Sequence, residues 1–365
     1  MVGFFYPKLY LYDMDYEVLI VGCSLAGIAY CDILEQHGLS FQVFDDNSQQ
    51  SSKVAAGLYN PVILKRFSKV WEVKSQLDIA LPFYERIEQT LSKTFDYKTP
   101  IHRLFHSVEE QNLWFEASDK PDLAPYLSLD LVNNSNSNVS APFGFGKVNQ
   151  CGRLDTAYFI NAYREYLKEK GLFTNARFDY SSLEISSTGI KYKGVSAKTI
   201  VFCEGFGVVQ NPFFNYLPLN GTKGELITIH APDLNLNQII KSSVFVIPLG
   251  DDLYSVGSTY AWDDKTGFPT AGAKQELESK LKRFITCDYK VVKHVAGIRP
   301  TVKDRRPLVG QHPKHKQLYI LNGLGTRGVL IGPYVALHLF NAIYKNSPLE
   351  SEMSIARFSA FYQDL

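Results

Sequence analysis

The sequence predicts an α/β fold in which a domain built on a parallel sheet is joined to a domain built on an antiparallel sheet. Three observations lead to this prediction. Over residues 17–44 an apolar run, a glycine-containing turn, a helical stretch and a second apolar run follow one another, which is the order of a βαβ unit. Short strand-like runs dominate residues 178–256, and a strand followed by an apolar helix closes the chain. Elements of α/β type at both ends therefore surround a β-rich middle.

Composition and charge exclude several classes of protein. The 365 residues include 38 Lys and Arg against 37 Asp and Glu, so no overall field draws the chain to nucleic acid or to anionic lipid. A hydrophobic content of 45% is sufficient for the core of one large or two medium domains. The five cysteines show no CxxC spacing, which indicates reduced thiols and no metal site. We therefore expect a cytoplasmic protein that binds a small ligand.

Neither end of the sequence carries a recognisable targeting or membrane signal. Residues 1–13 contain one lysine and no small-residue cleavage site, so they do not resemble a signal peptide. Met14 offers an alternative start immediately before the first strand, which would leave residues 1–13 outside the native protein. Residues 329–344 are apolar but are shorter than the roughly 20 residues of a membrane span. We expect a buried helix there and no membrane association.

The turn after the first strand is the candidate phosphate-binding element. Gly22-Cys-Ser24-Leu-Ala-Gly27 follows the pattern G-x-G-x-x-G, with serine in place of the second glycine. Gly22 permits the tight turn, Gly27 allows close helix–strand packing, and the helix N-terminus offers N–H groups to phosphate. Asp45 follows the second strand, where its carboxylate is expected to accept hydrogen bonds from a ribose. The segment predicts dinucleotide binding and leaves FAD and NAD open; the alternative is a turn that binds nothing.

The other elements follow from periodicity and from capping residues. Helical patterns occur near residues 70–91 and 154–170, and Asp155 is expected to cap the second helix. Residues 244–248 and 253–257 are typical of a β-hairpin. The remaining predicted elements are a helix near 273–284, strands near 289–296 and 318–321, and the final helix.

Three later segments carry information about the ligand. They are residues 51–61 (SSKVAAGLYNP), 296–310 (AGIRPTVKDRRPLVG) and 323–328 (GLGTRG). The first resembles the stretch that passes the flavin diphosphate in the D-amino-acid oxidase (DAO) family of FAD-dependent oxidoreductases. The second is similar to the G-[LI]-R-P-x-x-x-D-x-x-P-x-[IV]-G signature of the glycine oxidase branch, and the third is similar to that family's glycine loop beside the flavin pyrimidine.

This resemblance implies non-covalent FAD in a Rossmann-like domain of the glutathione-reductase type, with an antiparallel-sheet substrate domain. The implied FAD-binding domain comprises residues 14–75, 148–210 and 293–365, and the substrate domain comprises residues 76–147 and 211–292. A glycine loop that opens a helix places N–H groups where reduced flavin gathers negative charge. The implied cofactor-binding residues are Gly22, Ser24, Gly27, Asp45, Ser52, Gly57, Gly205, Gly297, Gly323, Gly325, Thr326, Arg327 and Gly328.

The resemblance also implies a reaction, which is oxidation of the C–N bond of a small amine or amino acid similar to glycine or sarcosine. Hydride passes to the flavin, the imine is hydrolysed, and oxygen is the expected electron acceptor. Arg299 resembles the arginine that binds the substrate carboxylate, and a structural ion pair with Asp304 is the alternative. Because residues 245–249 (FVIPL) lack the tyrosine and arginine of glycine oxidase, Tyr260 or Lys223 is expected to supply a second polar contact.

Two further hypotheses remain open. Residues 219–226, 256–260, 303–310 and 325–328 resemble the flavin domain of an enzyme that modifies the wobble uridine of tRNA. On this hypothesis the substrate is a carboxymethylaminomethyl-uridine, and the basic residues of segment 303–316 contact RNA phosphates; we rank tRNA below a small amine as the partner. The other hypothesis is a flavin-binding module without catalytic activity. We interpret His294, which precedes the arginine segment, as a structural residue rather than a catalytic base.

Overall fold

A computed structural model describes residues 14–362; the suggestion that residues 1–13 are not native concerns a segment outside the described residues. The helices are α1 (Leu25–Gln36), α2 (Ser51–Val54), α3 (Val73–Leu91), α4 (Val108–Ser118), α5 (Thr156–Glu169), α6 (Ala271–Leu281) and α7 (Gly328–Tyr344). The strands are β1 (Tyr16–Val21), β2 (Phe41–Phe44), β3 (Leu58–Tyr59), β4 (Val62–Ile63), β5 (Ser68–Lys69), β6 (Asp96–Tyr97), β7 (Ile101–Leu104), β8 (Leu127–Val132), β9 (Phe145–Val148), β10 (Gly152–Leu154), β11 (Phe173–Thr174), β12 (Leu183–Ile185), β13 (Ile190–Tyr192), β14 (Val195–Phe202), β15 (Thr222–His230), β16 (Ile239–Lys241), β17 (Phe245–Gly250), β18 (Leu253–Gly257), β19 (Lys290–Arg299), β20 (Leu308–Gln311) and β21 (Leu318–Asn322).

The first sheet has the parallel core that the opening βαβ unit predicts. Strand β1 pairs in parallel with β2 and β14, and β14 pairs in parallel with β21. Strand β2 is buried along its whole length, as is typical of strands with helices on both faces of a parallel sheet. The carboxyl ends of β1, β2, β14 and β21 therefore meet at one edge. Ligands of open α/β sheets bind at this edge, and Gly22, Asp45, Cys203 and Gly323 follow those strand ends.

The second sheet is predominantly antiparallel, as the β-rich middle of the sequence predicts. Its strand order is β19-β15-β18-β17-β16-β7-β9-β8, and the β16–β7 pair is parallel. The predicted hairpin forms from β17 and β18, with Asp251 and Asp252 in the left-handed region at the turn. An α/β fold with a Rossmann-like domain and a second sheet domain is thereby confirmed.

Two elements cross the predicted domain boundaries, since α3 begins at Val73 and β19 begins at Lys290. Helix α3 packs on α7, where the Tyr84 hydroxyl donates to the carbonyl oxygen of Val329 at 2.7 Å. This location follows from the apolar face that Leu77, Ala80 and Ile87 form on α3, which must be buried against a neighbouring helix. Strand β19 pairs with β15 in the second sheet. We therefore propose the two-domain division with α3 moved to the first domain and β19 to the second.

The apolar run near the end of the chain forms the buried helix that was predicted. Residues 329–336 of α7 are all buried, and they contribute to the core that also contains α1 and α3. Within residues 14–362, no helix is both long and apolar enough to cross a bilayer.

Candidate active site

The glycine turn between β1 and α1 has the geometry of a phosphate cradle. Gly22 has φ +99°, and a Cβ atom there would lie 2.5 Å from the carbonyl oxygen of Cys203. A Cβ atom on Gly27 would lie 2.0 Å from the carbonyl oxygen of Gly22. Ser24 precedes α1 without making a side-chain capping bond, and the first turn contains no acidic residue. The N–H groups of that turn are therefore left for an external anion.

The carboxylate of Asp45 is hydrogen-bonded to the backbone of this turn. Its Oδ2 atom accepts a hydrogen bond from the Cys23 N–H at 2.6 Å, and its Oδ1 atom lies 2.8 Å from Nη2 of the buried Arg164. Arg164 also donates to the carbonyl oxygen of Cys23. The predicted contact of Asp45 with a ribose must therefore compete with these internal partners, and it stays a prediction. Arg164 was not predicted, although its position four residues after the buried Ile160 places it on the apolar face of α5.

Two adjoining cavities meet at the glycine turn. The larger has a volume of about 470 Å³ and the smaller about 80 Å³, and they share Ser24, Gln49 and Cys203 as wall residues. The smaller cavity extends past Asp46 and Glu204, whereas the larger extends to the N-terminus of α7. A phosphate cradle between two compartments fits a dinucleotide, with the diphosphate at the junction.

The loop before α7 forms the far wall of the larger cavity. Gly325, Thr326, Arg327 and Gly328 line the cavity, and the N–H of Gly325 donates to the carbonyl oxygen of Pro300 at 3.1 Å. No side chain caps the first turn of α7, so its N–H groups remain for a partially negative group of a ligand.

Gly323 is a predicted cofactor-binding residue, and that role stays a prediction. It is not among the wall residues of the larger cavity, and a Cβ atom there would lie 2.9 Å from the Leu308 nitrogen. Because Gly323 has φ +73°, the turn between β21 and the loop requires glycine for its backbone geometry.

The remaining small residues of the cofactor prediction lie together on the wall of the larger cavity. These residues are Ser52, Gly57, Gly205 and Gly297. A Cβ atom on Gly57 would lie 1.8 Å from the carbonyl oxygen of Leu154, so the chain approaches its neighbour too closely for any other residue. The glycine turn, these small residues and the α7 loop thus surround one continuous space, although they are distant in sequence.

Glu204 is an unpredicted acid on the wall of the smaller cavity. Its carboxylate accepts hydrogen bonds from the Tyr180 hydroxyl and from Asn211 Nδ2. Burial nevertheless raises the pKa of Glu204 from its ordinary value of 4.5 to about 7. The sequence places Glu204 directly before Gly205 but does not indicate its raised pKa, because that pKa depends on burial by segments distant in sequence.

The raised pKa of Glu204 predicts a pH-dependent stability. Since the folded state binds the proton more tightly, this contribution is complete below pH 4.5 and is lost as the pH rises through about 7. We expect the free energy of unfolding to lose roughly 2 to 3 kcal/mol between pH 5 and pH 8 through this group. Urea unfolding of the wild type and of Glu204→Gln at both pH values measures the difference. Equal pH dependence in the two proteins would contradict the assignment.

Arg299 points into the larger cavity at the end of β19. Its Nη2 atom donates to Ser258 Oγ at 2.9 Å, and its guanidinium lies 4.5 Å from the ring centre of Tyr260. The predicted alternative, an ion pair with Asp304, is wrong, because Asp304 instead pairs with Arg357 at 2.9 Å. In the described part of the chain no carboxylate forms an ion pair with Arg299, and burial lowers the pKa of its guanidinium. The cavity therefore contains a desolvated cation without a counterion.

Lys223 does not supply the second polar contact that was expected of it. Its Nζ atom is buried on the opposite face of β15, 2.6 Å from Asp264 Oδ2 and 3.2 Å from Thr266 Oγ1. Glu225, on the same face, lies 2.9 Å from His294 Nε2, which agrees with the interpretation of His294 as structural. Tyr260, by contrast, lines the cavity mouth and covers the guanidinium of Arg299.

A glycine turn that opens into a cavity containing an unpaired arginine is compatible with an enzyme that binds a nucleotide cofactor and an anionic substrate. The family match shows the class, which is that of the FAD-dependent oxidoreductases. Residues 17–342 match the DAO family, described as FAD dependent oxidoreductase. The chain belongs to that family.

Individual proteins are similar to this chain in sequence or in fold. Glycine oxidase from Bacillus subtilis is 28% identical over 340 residues, which cover 87% of this chain and 90% of the relative. The crystal structure of L-proline dehydrogenase from P. horikoshii superposes with a TM-score of 0.77 at 15% identity, covering 95% of this chain and 98% of that chain. The tRNA 5-methylaminomethyl-2-thiouridine biosynthesis bifunctional protein of Shewanella halifaxensis is 23% identical over 176 residues, which cover 38% of this chain and 28% of that protein.

Proposed function

We propose that this enzyme oxidises the C–N bond of a small amine whose carbon also bears a carboxylate, as in glycine or sarcosine. The observation that carries the proposal is the unpaired guanidinium of Arg299 on the wall of the larger cavity. Guanidinium binds carboxylate through two parallel hydrogen bonds. The similarity to Bacillus subtilis glycine oxidase over 87% of the chain supports the same substrate class.

The proposed reaction is balanced with oxygen and water as co-reactants. An N-substituted glycine, oxygen and water give the free amine, glyoxylate and hydrogen peroxide. FAD supplies the two-electron acceptor for the hydride that leaves the substrate carbon. The C–H bond breaks, a C=N bond forms with loss of the amine proton, and water then adds to the imine and releases the amine.

The side chains around the cavity would orient the substrate and exclude water. Arg299 holds the carboxylate and so fixes the neighbouring carbon, which is the main requirement for hydride transfer. Tyr260 packs over the guanidinium and shields it from solvent. Arg327 is anchored through Nη1 to the carbonyl oxygen of Asn60 at 3.2 Å, and burial lowers the pKa of its guanidinium. A second cation near the same space favours an anionic substrate over a neutral one.

The direct test is bleaching of the flavin by candidate substrates without oxygen. We expect glycine or an N-alkylglycine to bleach the purified yellow protein, and hydrogen peroxide to appear when air is admitted. Simple alkylamines of the same size are the matched controls, and they are expected to bleach at least about 30-fold more slowly because they lack the carboxylate that Arg299 binds. A yellow protein that no amine bleaches would contradict the proposal and favour a non-catalytic flavin module.

The tRNA hypothesis stays a prediction of lower rank. Within the basic segment, Arg306 is already engaged, since its Nε atom lies 2.7 Å from Glu352 and its guanidinium lies 5.1 Å from the ring centre of Trp71. Salt-sensitive binding of tRNA that is lost on neutralising Lys303 and Lys316 would support this hypothesis.

A further inference from the structure

All charged residues on the wall of the larger cavity are cations. Its charged wall residues are Lys65, Lys241, Lys280, Arg299 and Arg327. Among the described wall residues there is no aspartate or glutamate. The net charge of the whole chain is +1, so this concentration of positive charge is a local property of the cavity. Lys280 is paired with Glu276, and the other four cations exceed the combined charge of one substrate carboxylate and the FAD diphosphate.

The second sheet separates two of these cations, Arg299 and Lys241, from each other. The guanidinium of Arg299 lies over Gly224 on β15, where a Cβ atom would be 1.9 Å from Nη2. Lys241 ends β16, which is reached from β15 by crossing β18 and β17. Three strand spacings correspond to roughly 14 Å. The two cations therefore lie at opposite ends of the cavity floor.

The floor between the two ends is apolar. Lys241 pairs with Phe245, Phe245 pairs with Gly257, and Gly257 pairs with Leu226 along one line across the sheet. The side chains of Phe245 and Leu226 line the cavity, and a Cβ atom on Gly257 would lie 3.0 Å from both of them. A substrate that spans the floor would thus have an apolar middle.

Lys241 has no counterion in the described part of the chain. Burial, followed by the charged neighbours Arg103 and Lys280, lowers the pKa of Lys241 to about 8. Arg103 is paired with Glu110 and Lys280 with Glu276, so these two cations are balanced by acids outside the cavity wall. An anion bound in the cavity would offset the cost of burying the Lys241 ammonium.

We propose that the substrate carries a second anionic group, which Lys241 binds with Lys280 beside it while Arg299 binds the carboxylate next to the reacting carbon. The substrate class is then an N-carboxymethyl amine with an apolar spacer that ends in a carboxylate or a phosphate. This inference rests on the proposed function, because it takes Arg299 as the site of the first carboxylate. The bond changes are those of the reaction given above, and the second anion takes no part in them.

A substrate series on the holoenzyme tests this proposal. Iminodiacetate and its homologues with a lengthening methylene spacer are compared with N-alkylglycines of matched length, and N-carboxymethyl aminoalkyl phosphates form a second arm. We expect the best dianion to exceed its matched N-alkylglycine at least about tenfold in kcat/KM. A higher kcat/KM with the dicarboxylates identifies the substrate as a dicarboxylic amine. A higher kcat/KM with the aminoalkyl phosphates identifies it as a phosphate ester. Equal kcat/KM for dianions and N-alkylglycines would overturn the proposal.

A substitution of Lys241 tests whether this residue causes the preference for dianionic substrates. Lys241→Gln is expected to reduce the ratio of kcat/KM between dianion and matched N-alkylglycine at least about fivefold. Lys147→Gln, an exposed lysine on β9 of the same sheet, is the matched control and should leave the ratio unchanged. An unchanged ratio in Lys241→Gln would overturn the assignment.

Calorimetric binding of unreactive anions separates failure of this inference from failure of the proposed function. Dicarboxylates from glutarate to sebacate are compared with monocarboxylates of the same length. The best dicarboxylate is expected to bind the holoenzyme at least about tenfold more tightly than its matched monocarboxylate, and Lys241→Gln is expected to remove this difference. If no amine bleaches the flavin but a dicarboxylate binds in this Lys241-dependent way, the amine oxidase proposal fails and the second anion site stands. If amines bleach the flavin and no dicarboxylate binds better than its matched monocarboxylate, the second anion site fails alone.

Discussion

Replacement of Arg299 by alanine is expected to lower kcat/KM for an N-substituted glycine by a factor of about 30 to 4000. This range corresponds to roughly 2 to 5 kcal/mol, which is the usual cost of removing one partner of a desolvated, hydrogen-bonded charge pair. The guanidinium is held in place by Ser258 and Tyr260, and no carboxylate among residues 14–362 forms an ion pair with it. The decrease in kcat/KM should therefore come from the lost contact between Arg299 and the substrate carboxylate. Steady-state kinetics with oxygen consumption gives the measurement.

Two controls separate the role of Arg299 in binding from a role in folding. Lys303→Ala removes an exposed cation from the same segment and should leave kcat/KM within about twofold, since an exposed charge contributes little. Arg299→Lys keeps the positive charge but cannot form the two parallel hydrogen bonds of guanidinium with carboxylate. Its activity should therefore lie between those of the alanine variant and the wild type. If Arg299→Ala retained wild-type kcat/KM with a carboxylate substrate, another group would have to bind the carboxylate.

Replacement of Ser24 by aspartate is expected to weaken FAD binding by about 100-fold or more while the fold is retained. Aspartate is a favourable residue before the first turn of a helix, so it should stabilise α1. The same carboxylate would face the diphosphate at the junction of the two cavities, where like charges repel by several kcal/mol. FAD affinity is measured by titrating the apoprotein and following flavin fluorescence. Thermal unfolding of the same apoprotein reports on the stability of the fold.

Ser24→Gly is the matched control, because it restores the glycine of the common pattern and adds no charge. Its FAD affinity should remain within a few-fold of the wild type, since glycine is tolerated before a helix at a cost of only a few tenths of a kcal/mol. Unchanged FAD affinity in Ser24→Asp, with both variants folded, would place the diphosphate elsewhere. A loss of both FAD affinity and stability in Ser24→Asp would instead show that the aspartate disturbs α1 itself.

Several features of this protein are determined by local sequence. The opening βαβ unit follows from apolar runs and from glycines that permit the tight turn between strand and helix. The three segments that resemble the DAO family likewise indicate FAD, because their glycines and Arg299 are spaced along continuous stretches. Family, cofactor and enzyme class could therefore be predicted before any contact between distant segments was known.

The partners of the charged side chains were decided by the tertiary structure alone. In β15, Gly224 and Leu226 line the cavity while Lys223 and Glu225 lie on the opposite face, and strand pairing determines which alternate residues face the site. Arg164 reaches Asp45 from a helix 119 residues away, and Lys241 enters the cavity wall only because β16 pairs with β17 and β7. Electrostatic interactions depend on distance in space and on burial, and neither quantity is contained in the spacing of residues along the chain.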